Sequence, residues 1–140
     1  MKIVVAVGLI WMTVLCMVCS GISMEPDTHK DAVYVGTWLR IAKYANGTSI
    51  PVHETATLVL TKDAFASDSK GVPGAECKNS GKLTVNGETM TMTVTASTCP
   101  SIITVGSVVK ETYSVSADKS LLTIINTEWG YRYKEVLKKQ

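Results

Sequence analysis

Polar and apolar residues alternate along most of the chain beyond its first two dozen positions. The clearest example is segment 81–97, GKLTVNGETMTMTVTAS, where threonines separate most of the apolar side chains, which are Leu83, Val85, Met90, Met92 and Val94. This period of two residues is typical of a strand with one buried face and one solvated face. Asn86-Gly87 divides the segment and predicts a hairpin with these two residues in the turn. In that register Val85 pairs with Glu88.

Shorter segments show the same alternation, and each is followed by a turn signal. The turns fall at Asn46-Gly47, near Lys62-Asp63 and at 117–119. No sustained helical period with capping residues interrupts this pattern. We count seven or eight short strands, which predicts an all-β sandwich or barrel. The connection at 97–107 contains the apolar run 102–105, which is either a short strand or a loop lining the mouth of a barrel.

The N-terminal segment has the composition of a secretory signal peptide. Lys2 precedes an uncharged apolar run at 3–18, and small residues follow it. This order predicts export, with cleavage after Ser23 or Ser20. An uncleaved membrane anchor is the alternative, because the run is close to the shortest segment that spans a bilayer. The predicted organisation is a signal peptide at 1–23, a flexible lead-in at 24–32 and one domain at 33–140.

Two of the four cysteines lie outside the predicted signal peptide. Cys77 and Cys99 would both be free thiols in an oxidising compartment, so we predict a disulfide between them. The hairpin register places Cys77 near Ala96, and a modest irregularity in the strands would bring the sulfurs together. Metal ligation is the weaker interpretation, because His29 and His53 show no ligand spacing. We therefore expect no metal and no cofactor.

Composition and charge narrow the classes of function. The 140 residues are 46% hydrophobic and 19% charged with a net charge of +2, which fits one globular domain. Because basic and acidic residues are interspersed, we expect no nucleic-acid partner, and membrane contact only through an uncleaved N-terminal segment. The chain also lacks a nucleophile elbow, a phosphate-binding glycine loop and a zinc-helix motif. We therefore expect no enzyme and no catalytic residues.

Gly36-Thr37-Trp38 on the first predicted strand, together with the hairpins that follow it, resembles the small secreted lipocalin-like (calycin) proteins of bacteria. The resemblance covers residues 33–136. It implies a small eight-stranded antiparallel β-barrel whose closed end is plugged by the tryptophan, with a basic residue of the last strand over the indole ring. Gly36 and Trp38 match the first element, and Arg132 is the best match to the second, with Lys134 as a substitute. A cation stacked on an indole gains electrostatic attraction.

The resemblance also implies a small apolar ligand inside the barrel. The candidate ligand-binding residues are Leu58, Leu60, Met90, Met92, Tyr113 and Tyr131. Packing within the wall or core is the alternative for each of them, since alternating methionines are common core fillers. His53-Glu54, beside Pro51, is interpreted as a solvated loop pair.

Two functions remain open, both for a secreted, periplasmic or cell-envelope protein. The preferred one is an exported lipocalin-like binding protein, which predicts a connected apolar cavity. The alternative is an interaction protein, such as a protease inhibitor or adaptor, that uses the barrel as a scaffold for loops. The segment at 97–107 or the N-terminal segment at 24–31 would then insert into a protein partner.

Overall fold

The structure is a computed structural model that describes residues 32–71, 76–128 and 130–140. The regular elements in these ranges are all strands, namely β1 (Gly36–Ala45), β2 (Thr48–Ile50), β3 (Thr55–Leu60), β4 (Ala64–Lys70), β5 (Cys77–Asn86), β6 (Thr89–Ser97), β7 (Val108–Val115), β8 (Leu121–Glu128) and β9 (Tyr131–Lys139). Within the described ranges we find no helix with the length and apolar character needed to cross a membrane. The predicted signal peptide and the lead-in, apart from Ala32, lie outside the described residues.

Eight of these strands close into an antiparallel barrel. Their order is β1-β3-β4-β5-β6-β7-β8-β9, and β9 pairs back onto β1. The three-residue β2 pairs only with the last part of β1, at residues 43–45. The predicted eight-stranded antiparallel barrel is therefore confirmed. Because each strand alternates inward and outward side chains, the apolar positions of all eight strands meet in one core.

The β5–β6 hairpin differs from the predicted register. Gly87 and Glu88 form the turn, and of the two only Gly87 has a positive φ, at 57°. This is the requirement of a type II′ turn rather than the expected type I′ turn at Asn86-Gly87. Val85 consequently pairs with Met90 instead of Glu88. The pairing has moved by two residues, so every side chain keeps its predicted face.

A β-bulge separates this hairpin from the disulfide. The register shifts between Ser80 and Gly81, and Thr95 is left over on β6. Gly81 suits the position because a Cβ there would clash with a backbone carbonyl oxygen of β6. Beyond the bulge, Cys77 and Cys99 form a disulfide, with their Cα atoms 5.4 Å apart. The predicted disulfide and the predicted strand irregularity are both confirmed.

Trp38 closes one end of the barrel, which we call the closed end. Its side chain is fully buried, and its Nε1 donates a 2.8 Å hydrogen bond to the Tyr34 carbonyl oxygen. Lys139 of β9 lies over the indole, with Nζ 5.3 Å from the ring centroid. Gly36 has a φ of 147°, and a Cβ at this position would come within 2.9 Å of the Lys139 Cε. The glycine two residues before the tryptophan thus leaves the space that the lysine crosses.

Arg132 does not occupy the predicted place over the indole. It is exposed at the opposite end of the barrel, where its backbone N–H donates a 2.9 Å hydrogen bond to the Asn46 Oδ1. β9 runs three residues beyond Val136, where the resemblance ends, and its pairing with β1 puts Lys139 beside Trp38. The substitute Lys134 also lies elsewhere, with its Nζ 4.3 Å from the Tyr44 ring centroid.

The β7–β8 turn is organised around Asp118. Its carboxylate accepts hydrogen bonds from the hydroxyls of Ser116, at 2.5 Å, and Ser120, at 2.7 Å. The backbone N–H of Ser120 also donates to it, at 3.1 Å. These hydrogen bonds lower the pKa of Asp118 to about 2, because they are made to the ionised form.

We expect Asp118→Asn to destabilise the protein at neutral pH and to have a much smaller effect at pH 2. Because the folded-state pKa lies below the ordinary value, the carboxylate stabilises the fold fully above about pH 4. This contribution is lost as the pH falls through the folded-state pKa of about 2, where Asp118 is half protonated in the folded state. The measurement compares urea midpoints of wild type and variant between pH 6 and pH 2. Asp63→Asn, in another turn at the closed end, is the control, and a midpoint difference that stays constant with pH would contradict the prediction.

Candidate functional site

The open end of the barrel contains a cavity of about 580 Å³, which we call the cup. All eight strands of the barrel contribute side chains to its wall, together with Glu54 before β3 and the loop at 98–107 between β6 and β7. The closed end lies on the other side of the core. The packed tryptophan blocks the closed end, so the cup opens at the opposite end of the barrel.

The floor of the cup is apolar. It consists of inward residues of β3, β4, β6, β8 and β9, which are Leu58, Phe65, Met92, Val94, Ile124 and Leu137. All of them except the partly buried Leu58 belong to the buried core. An apolar body entering the cup would therefore meet apolar surface on several sides.

Four charged residues form a belt around the cup, which we call the charged belt: Arg40, Lys43, Glu54 and Glu135. Arg40 donates from Nη1 to the Glu135 Oε1 at 2.9 Å and from Nη2 to the Glu54 Oε1 at 2.6 Å. The Nζ of Lys43 lies 3.5 Å from the same Glu54 oxygen. A register shift of the β1–β9 pairing between Arg40 and Ala42 places both Arg40 and Lys43 on the inner face.

The members of the charged belt differ in exposure. The side chain of Arg40 is only 9% exposed, whereas those of Glu54 and Glu135 are 24% and 32% exposed. Burial raises the pKa of Glu54, but the charges of Arg40 and Lys43 and the hydrogen bond from Lys43 outweigh it and hold this pKa below its usual value. Glu54 is therefore ionised at neutral pH. The two carboxylates are thus more exposed than the guanidinium that they bind.

The loop at 98–107 contributes to the mouth of the cup. The N–H groups of Ile102 and Ile103 both donate to the Cys99 carbonyl oxygen, at 2.9 and 3.0 Å. Both side chains line the cup, although Ile102 is 70% exposed. The apolar run at 102–105 is thus a loop lining the mouth, not a strand. Its first turn starts at Cys99, so the disulfide anchors it to β5.

The six predicted ligand-binding residues are not all in the cup. Leu58 and Met92 line it. Leu60 and Met90 lie in the buried core beyond the floor. Tyr113 packs edge-on against Tyr34 at the closed end, with ring centroids 5.7 Å apart.

Tyr131 is wrongly predicted as an interior residue. It is 53% exposed, next to Tyr133 at a ring-centroid distance of 6.2 Å. Both share the inward alternation of Glu135 and Leu137, but they lie at the start of β9, near the rim of the barrel. The prediction failed because alternation indicates which face of the strand a residue is on, but not how close that residue is to the end of the barrel.

The sequence interpretation missed the charged belt. Glu54 was expected to be a solvated loop residue, but it forms ion pairs inside the cup with Arg40 and Lys43. A signal was present, because Arg40 follows the buried Trp38 by two residues and Glu135 precedes the buried Leu137 by two. A charged residue in phase with buried neighbours indicates a charged group on the inner face.

Comparison with solved structures supports the fold. The structure of a redesigned beta barrel is similar to this chain with a TM-score of 0.52 and 16% sequence identity, covering 80% of this chain and 96% of that chain. At this identity the likeness is one of fold alone. No family model matches the chain, and no curated protein matches it.

Proposed function

We propose that this chain is an exported lipocalin-like binding protein, without catalytic activity, that holds a small ligand with an apolar body in the cup. The observation that carries this proposal is the cavity of about 580 Å³ with an apolar floor. Sites for small molecules typically have volumes of about 300–1,000 Å³ and apolar walls with a few polar groups. A side-chain-filled barrel would offer no such space.

Export is part of the proposal. The disulfide between Cys77 and Cys99 supports it, because disulfides persist in oxidising compartments. The signal-peptide pattern at 1–23 supports it independently. Mass spectrometry of the protein purified from its own host would test both features, since it reports loss of the leader and the two-hydrogen mass deficit of a disulfide.

Ligand binding is tested with the neutral fluorophore N-phenyl-1-naphthylamine and a variant that fills the cup. Ala56 of β3 lines the cup, whereas Ala66 of β4 is exposed on the outer wall. We expect wild type and Ala66→Trp to bind the fluorophore, and Ala56→Trp to bind it at least about tenfold more weakly. Tryptophan at position 56 occupies the volume that the fluorophore needs.

Two outcomes would overturn the binding proposal. One is the absence of fluorophore binding by wild type. The other is equal binding by wild type and by a folded Ala56→Trp variant, which would place the fluorophore outside the cup. Circular dichroism of both tryptophan variants shows whether they keep the wild-type strand content.

An interaction protein is the second candidate function, and the exposed apolar rim favours it. Ile102 and Tyr131 are 70% and 53% exposed at the open end, and Val105 lies in the same loop as Ile102. Exposed apolar residues grouped at one end often mark a protein contact. This candidate predicts that a protein from the native envelope is captured by wild type and lost with Ile102→Ser. Capture that is independent of Ile102 would argue against it.

A further inference from the structure

We propose that the cup selects ligands whose head group is uncharged and both donates and accepts hydrogen bonds, as a primary amide does, and that the carboxamide of Asn79 binds this group. This inference rests on the proposed binding function and specifies the head group of the ligand. The position of Asn79, the neighbours of its side chain and the pairing of the charges in the wall support it.

Asn79 is a buried polar residue in the wall of the cup. It lies on β5 in phase with the buried Cys77, whereas Lys78 between them is exposed. Its partners on the neighbouring strands are Ser67 of β4 and Ser97 of β6. Asn79 and Ser67 both line the cup. Because Asn79 is only 7% exposed, bulk water reaches little of its side chain.

The carboxamide of Asn79 has no strong hydrogen-bond partner among the described residues. Its Nδ2 lies 3.8 Å from the Cys77 Sγ, and its Oδ1 lies 3.9 Å from the Cys99 Sγ. Both sulfurs belong to the disulfide. A disulfide sulfur carries no hydrogen to donate to Oδ1, and it is a weak acceptor for Nδ2. Exchanging the two ends of the amide would not change this, because the neighbours on both sides are sulfur atoms.

A buried carboxamide in this state favours a ligand that completes its hydrogen bonds. Leaving a buried amide without partners costs free energy, and a ligand that supplies those partners recovers the cost. The Oδ1 accepts and the Nδ2 donates, so the complementary head group must do both. The hydroxyl of Ser67, on the adjacent strand, can also donate or accept. The apolar body of the same molecule would lie on the floor, at Leu58 and Phe65.

The charged belt offers no uncompensated charge to an ionic head group. Arg40 binds one oxygen of Glu54 and one of Glu135, at 2.6 and 2.9 Å. Lys43 lies 3.5 Å from the same oxygen of Glu54. The belt thus contains two cations and two carboxylates that pair with one another, and its net charge is zero.

The two other acidic residues that line the cup are engaged as well. Glu111 of β7 takes part in an interaction of its own. Asp68 of β4 is in phase with the exposed Lys70 and pairs with Lys70 and Lys78, at 3.5 and 3.9 Å. An ionic head group would therefore have to break an existing pair or remain unpaired in a partly enclosed site. An uncharged head group avoids this cost.

The test compares head groups on one alkyl chain. Octanamide, 2-nonanone and octanoate share a heptyl chain and a carbonyl group, and they differ in the NH₂, CH₃ or O⁻ on the carbonyl carbon. Octylamine supplies a cationic head group. Each probe is titrated at pH 7 into the purified full-length chain, by calorimetry and by displacement of N-phenyl-1-naphthylamine. We expect octanamide to bind at least about tenfold more tightly than octanoate or octylamine.

A substitution at Asn79 locates the head group. In Asn79→Leu, leucine keeps the branched shape but makes no hydrogen bonds, so the ratio of octanamide to 2-nonanone affinity should fall about tenfold. Asn86→Leu, exposed beside the β5–β6 turn, is the matched control and should leave this ratio unchanged. Wild type labelled with ¹⁵N gives a second measurement that needs no variant. Octanamide should shift the Nδ2 resonances of Asn79 and not those of Asn86.

The outcomes separate the head group from the binding function. An affinity ratio that Asn79→Leu leaves unchanged, or Asn79 resonances that octanamide does not shift, would overturn the head-group proposal while leaving ligand binding intact. Octanoate or octylamine binding as tightly as octanamide would do the same, as would octanamide that fails to displace a bound fluorophore. Failure of the fluorophore and of all four probes to bind would overturn the binding function itself.

Discussion

Replacing Trp38 with alanine is expected to lower the free energy of unfolding by about 3 to 5 kcal/mol, the usual cost of truncating a buried tryptophan. The indole is fully buried. Its removal would leave a cavity between Tyr34 and Lys139 and would orphan the Tyr34 carbonyl oxygen, which accepts from Nε1. Urea denaturation followed by circular dichroism measures the change.

Two further variants separate size from hydrogen bonding at the closed end. Trp38→Phe keeps a large aromatic ring but removes the donor, so the loss of the hydrogen bond adds about 1 kcal/mol to the cost of the smaller ring. Tyr131→Ala is the matched control, because its ring is 53% exposed at the rim and its truncation should change stability by less than about 0.5 kcal/mol. If Trp38→Ala were no more costly than Tyr131→Ala, Trp38 would not hold the closed end together.

Local turn chemistry and strand alternation made most of the fold predictable. At Asn46-Gly47 both residues have positive φ, at 48° and 84°, as the sequence indicated. The inward-facing residues of β5 and β6 were also predicted correctly. The turn position was wrong, but the register error was two residues, so each side chain stays on its predicted face. Turn conformation and the buried face of a strand depend on residue type and on the period of the local sequence. They can therefore be predicted without knowledge of contacts between distant strands.

Features that depend on contacts between distant strands were not predictable. The place over Trp38 was assigned to Arg132, but the β1–β9 register brings Lys139 there. A register between the first and last strands is set by barrel closure, and no local pattern reports it. Strand order likewise decides which inward residues reach the cavity, so only Leu58 and Met92 of the candidate set line the cup.

The charged belt was not predictable from the sequence either, because its members are distant in the chain. Arg40 pairs with Glu54, 14 residues away, and with Glu135, 95 residues away. Glu54 lies in the connection before β3, and Glu135 lies on β9, which reaches Arg40 only because β9 pairs with β1. A buried ion pair is costly to assemble and costly to break, because its partners are removed from water. The pairing of Arg40 is therefore decided by which strands the barrel closure brings together.

Removing the disulfide by the double substitution Cys77→Ser and Cys99→Ser is expected to cost about 3 kcal/mol, the value of the chain-entropy model for a loop of this size. The two residues are 22 positions apart in the chain. The bond also fixes the strand ends next to the cup, since Cys77 itself lines the cavity. Loss of the disulfide should therefore lower the urea midpoint and also loosen the loop at the mouth of the cup.

Hydrogen exchange distinguishes these two effects. In the double variant we expect faster exchange of the Ile102 and Ile103 amides, because the Cys99 carbonyl oxygen that accepts from both is no longer held against β5. The Trp38 side of the barrel should exchange as in wild type under conditions where the variant stays folded. Ser101→Ala, exposed in the same loop, is the control. An unchanged urea midpoint together with unchanged exchange at Ile102 would mean that the bulge and the strand pairing alone hold the mouth in place.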